Sequence, residues 1–121
     1  MIHPTAIISS KAILNNDVKV GPYCIIDEDV IVGENTEFIS HVHIGGNTII
    51  GKNNKFFPFS SIGLPPQDKK YLGENSKLVI GDNNIFREHV TINPGTKDGG
   101  MITQIANKCL IMVGAHIAHD C

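Results

Sequence analysis

The chain has 121 residues, 18% of them charged, with a net charge of −2 and its only arginine at position 87. That length supports one domain, and the charge balance excludes the basic stripe with which a nucleic-acid binder neutralises phosphates. No apolar run approaches the roughly 18 residues of a membrane span, and the start, Met1-Ile-His-Pro-Thr5, lacks a basic region followed by an apolar one, so a cytoplasmic protein is expected.

The first elements set the pattern. Every sixth residue from Ile2 is large and apolar: Ile2, Ile8, Leu14, Val20, Ile26, Val32, Phe38, Ile44, Ile50, Phe56 and Ile62. Against a hydrophobic background of 41%, eleven in succession has a chance probability on the order of 0.0001. Four residues after each anchor the side chain is small or β-branched for most of the run, from Ala6, Ala12, Val18 and Cys24 to Val42 and Thr48. Gly follows the anchor at Gly21, Gly33, Gly45, Gly51 and Gly63, with Asn soon after at Asn35, Asn47 and Asn53. A period of six fits neither an α-helix nor a long flat strand. It fits a triangular coil of three short strands and three corners, eighteen residues per turn, with the anchor and the residue four later pointing inward. Gly and Asn are expected at the corners, where the backbone enters conformations costly to other residues.

The pattern breaks after Gly63 and returns at Ile80, Phe86 and Ile92, still in register with Ile2. It breaks again and resumes at Ile105, Ile111 and Ile117, shifted by one. External loops are therefore expected near 64–79 and 93–104, and loops of that kind in compact domains are often functional. Cys24, Cys109 and Cys121 all fall four after an anchor. They read as reduced packing residues, and neither a disulfide framework nor a structural zinc site is expected.

Chemistry concentrates in the last element, Met112-Val-Gly-Ala-His-Ile-Ala-His-Asp-Cys121. With Ile117 inward, His116 points out, and His119 falls near the next corner. An outward imidazole is a general-base candidate because it titrates near neutrality. A solvated surface histidine has the same spacing, and a zinc site would need ligands beyond these two. Spacing leaves these readings open.

Three segments in this order, Pro65-Pro-Gln-Asp-Lys-Lys-Tyr71, Val90-Thr-Ile-Asn-Pro-Gly-Thr96 and Ala115-His-Ile-Ala-His-Asp-Cys121, closely resemble the acyl-[acyl-carrier-protein]–UDP-N-acetylglucosamine O-acyltransferases of lipid A biosynthesis, and the resemblance runs from Ile2 to Cys121. It implies an all-β fold, a left-handed parallel β-helix of hexapeptide repeats. It also implies transfer of an R-3-hydroxyacyl chain from acyl carrier protein to the 3-hydroxyl of UDP-N-acetylglucosamine, by a homotrimer and without metal or cofactor. His119 would be the general base, supported by Asp120. Gln67, Asp68, Lys70 and His116 would contact the sugar nucleotide. Many members of the family have histidine where this chain has Asn93, which cannot titrate. Members run about twice this length, so residues 1–121 are expected to form a single β-helix domain that stops before the remaining coils and a carboxy-terminal helical region. Two other readings stand beside this one. One is the related N-acyltransferase, which usually has an extra amino-terminal domain. The other is an inert solenoid fragment with a packing or assembly role.

Overall fold

The computed structural model describes residues 1–64, 77–94 and 102–117. Among the described residues there are sixteen short strands and no helix. They build the expected left-handed parallel β-helix. No helix is long and apolar enough to cross a membrane.

Three parallel sheets form the faces of the prism, each taking every third strand. The first holds β1 (Ile7–Ile8), β4 (Ile25–Ile26), β7 (His43–Ile44), β10 (Ser61–Ile62), β13 (Thr91–Ile92) and β16 (His116–Ile117). The second holds β2 (Ile13–Leu14), β5 (Val30–Val32), β8 (Asn47–Ile50), β11 (Lys77–Ile80) and β14 (Ile102–Ile105). The third holds β3 (Lys19–Val20), β6 (Glu37–Phe38), β9 (Lys55–Phe56), β12 (Ile85–Phe86) and β15 (Leu110–Ile111).

Register explains the phase of the sequence. Ile7 pairs with Ile25, and Ile25 in turn pairs with His43, so each of these coils repeats after eighteen residues. Asn47, however, pairs with Lys77, thirty residues on instead of eighteen, so twelve residues are inserted between β10 and β11. Lys77 pairs with Ile102, twenty-five residues on, so seven are inserted between β13 and β14. Twelve is two hexads, which is why the apolar anchors stay in phase across the first insertion. Seven is one hexad plus one, which produces the shift. Both insertions leave from the same edge, between the first and second sheets. They are shorter than the expected loops near 64–79 and 93–104, because residues 77–79 and 102–104 are already paired in strands.

The anchors fill the core as expected. Ile26, Val32, Phe38, Ile44, Ile50, Phe56, Ile62, Ile80, Phe86 and Ile92 are all buried, and each large apolar side chain so removed from water contributes about 1.5–3 kcal/mol. Phe38, Phe56 and Phe86 stack along the axis with centroids 5.0 and 4.5 Å apart, matching the rung spacing of roughly 4.8 Å. Ile2 departs from the expectation: it is 53% exposed and pairs on one side only, through an isolated bridge to Val20.

The residues four after the anchors turn inward as well, and some are polar. Asn54 donates from Nδ2 to the Gly81 carbonyl at 2.8 Å and accepts the Asn84 N–H at Oδ1 at 2.9 Å. Asn84 repeats this one coil up, donating to the Ala106 carbonyl and accepting the Cys109 N–H, both at 2.8 Å. These buried amides satisfy backbone groups where the chain turns, so their burial is not penalised.

Corner chemistry differs from expectation in one respect. Between the second and third sheets the left-handed conformation falls on Asp17, Asn35, Asn53, Asn83 and Lys108, not on the glycines. Gly33 serves close approach instead, since a Cβ there would lie 2.6 Å from the Gly51 carbonyl carbon.

Replacing Ile44 or Ile50 by Asp should unfold the coil, because an unpaired carboxylate among aliphatic layers costs several kcal/mol. Lys52→Glu, on the outer surface, should shift stability by no more than about 0.5 kcal/mol. Asn84→Ala should cost about 1–3 kcal/mol by stranding its backbone partners. Thermal melts of the four variants check the inward and outward assignments together.

Candidate functional site

The outer positions of the first sheet form a ladder: Ile7, Ile25, His43, Ser61, Thr91 and His116. Strand alternation puts them outside because the next residue in every case is a core anchor. The ladder changes from apolar to polar at His43. From there upward it offers two imidazoles separated by two hydroxyls.

His116 is exposed, as its phase requires, and Ile117 beside it turns inward against the core. Thr91 Oγ1 lies 2.5 Å from His116 Nδ1 in a hydrogen bond across neighbouring rungs. Either tautomer satisfies that bond, because the hydroxyl both donates and accepts, and either leaves Nε2 for a ligand. The bond fixes the ring's orientation, which is the second requirement of a positioned acid or base.

Lower on the same ladder His43 Nε2 lies 2.9 Å from Asp27 Oδ2, a partly exposed pair. Asp27 follows β4 at the edge between the first and second sheets and reaches up past Gly45, where a Cβ would come within 2.7 Å of Asp27 Oδ2. Motifs in the sequence do not point to this pair. Its signal was the spacing of sixteen, two short of a full coil, which sets an edge residue diagonally below an outer-face residue of the next turn.

Asn93 stands at that edge two coils above Gly45. It is buried at 7% exposure and donates from Nδ2 to the Leu64 carbonyl at 3.1 Å. Its Oδ1 is the one buried side-chain oxygen or nitrogen among the described residues that has no hydrogen-bond partner.

Of the residues singled out from sequence, His116 is placed. Gln67, Asp68, Lys70, His119 and Asp120 lie outside the described residues. No cluster of His, Cys, Asp and Glu able to hold a metal occurs among the described residues. Cys24 is fully buried, and burial raises its thiol above the ordinary range despite backbone hydrogen bonds involving Val42 and Gly21 that work the other way. A thiol so placed is a packing group, not a nucleophile.

No family model matches the chain. Curated relatives do. An acyl-[acyl-carrier-protein]–UDP-N-acetylglucosamine O-acyltransferase of Rickettsia canadensis is 53% identical over 120 residues, covering 99% of this chain and 46% of that protein. A protein of the same name from Rickettsia bellii is 56% identical over 120 residues, covering 99% of this chain and 43% of its own length. The crystal structure of UDP-N-acetylglucosamine O-acyltransferase from Moraxella catarrhalis superposes with a TM-score of 0.97 at 50% identity, over 99% of this chain and 47% of that one. The chain thus spans about half the length of the relatives it matches. The resemblance read from the three sequence segments is borne out.

In the native protein Cys24 should resist iodoacetamide at pH 8 while the partly exposed Cys109 is modified. A difference of about tenfold or more in rate is expected, since alkylation needs an accessible thiolate. Peptide mass spectrometry after a timed exposure checks it, and equal labelling of both sites would contradict the inward placement of Cys24.

Proposed function

We propose that this chain forms part of an enzyme that transfers an R-3-hydroxyacyl group from acyl carrier protein to the 3-hydroxyl of UDP-N-acetylglucosamine, the first step of lipid A biosynthesis. The observation that carries the proposal is the match to O-acyltransferases along 99% of the chain, at 53% identity.

The chemistry suits the residues. A thioester is already activated, so the reaction needs a base for the sugar hydroxyl and donors for the oxyanion. In this reading His119 accepts the proton of the 3-hydroxyl as its oxygen attacks the thioester carbonyl. The tetrahedral intermediate then collapses, the C–S bond breaks, and the carrier's thiolate leaves and takes up the proton. Asp120 orients the imidazole and stabilises its protonated form. His116, its Nδ1 held by Thr91, presents Nε2 to the sugar nucleotide, which Gln67, Asp68 and Lys70 also contact. Lys70 acts as a point charge toward an anionic oxygen.

The reading includes a homotrimer in the cytoplasm. Support for assembly comes from the outer face of the second sheet, where Ile13, Ile31, Ile49 and Val79 form an apolar stripe, with Ile13 54% exposed. A stripe of that kind is suited to burial against another subunit.

In a protein carried on to the length of its relatives, His119→Ala should lower acyl transfer by roughly 100- to 10,000-fold with the fold intact, as expected when only the proton acceptor is lost. Asp120→Asn should cost less. Lys70→Ala should weaken sugar-nucleotide binding without moving the melting midpoint. Transfer from a 3-hydroxyacyl carrier protein, with calorimetry for UDP-N-acetylglucosamine, measures all three. Wild-type rates in His119→Ala would place the base elsewhere.

A further inference from the structure

We draw no further inference here: the strongest candidate, the exposed column of Tyr23, His41, Phe59 and His89 rings at the corner between the third and first sheets, which ends at the open rung of Gly114, carries nothing because nothing among the described residues shows what covers it.

Discussion

Everything in this chain depends on the axial hydrogen bonds between successive coils. The strands are mostly two residues long and have no stability by themselves. Each is held because its N–H groups donate to the carbonyls of the next coil, as Ile25 does to Val42 at 2.9 Å and Asp27 to Ile44 at 2.9 Å. Parallel in-register stacking follows, and like residues come to lie on like. The three stacked phenylalanines and the Asn54–Asn84 column are consequences of that rule. An asparagine buried alone would strand its amide, but asparagines one above another satisfy the turning backbone in sequence.

The same rule writes a distinct chemistry onto each outer face. On the second sheet one outer ladder is apolar from Ile13 to Val79, beside a second ladder of Asn47, Lys77 and Ile102. The third alternates charge over its lower rungs, Lys19, Glu37 and Lys55, with Lys55 4.0 Å from Glu37, and turns apolar above at Ile85 and Leu110. The first sheet becomes polar from His43 upward. At the edge between the third and first sheets, Tyr23, His41, Phe59 and His89 hold left-handed conformations with their rings 5.0 to 5.3 Å apart. Such a conformation is unfavourable for bulky side chains. Here ring contacts between coils replace the short polar side chains that serve the neighbouring edge.

How much of this was legible in the sequence depends on whether a residue answers to the repeat. The anchors Ile26 to Ile62 could be read because each fills the same slot, and a slot met eleven times is hard to mistake. Ile2 shared the pattern without sharing the burial, since periodicity says nothing about whether a residue is paired on both sides. The interruption at residues 65–76 was legible because the anchor slots there hold Asp68 and Glu74, and the phase returns at Ile80 because two whole hexads are inserted. The outward direction of His116 was legible from Ile117, but its bond to Thr91 was not. That contact joins residues twenty-five apart and exists only because seven residues are inserted between them. Neither Asp27 nor His43 lies in a segment with a recognisable motif, so sequence carries no sign of their pairing. Asn93 stands in sequence only as an asparagine where many of the O-acyltransferases have histidine, and its unpartnered oxygen becomes visible only when Leu64 is placed beside it.

The two insertions at one edge bear on how such proteins diverge. Lengthening a segment whose ends are already held together costs little, about 0.6 kcal/mol for each doubling. The ends here, Leu64 with Lys77 and Pro94 with Ile102, are pinned by strands on either side. Segment length at this edge is therefore almost free to drift under selection, while a single added residue inside a hexad would turn an anchor out of the core. Heritable variation in such a lineage is channelled: the coils admit change only by substitution, and novelty by insertion accumulates along the one edge beside the candidate site.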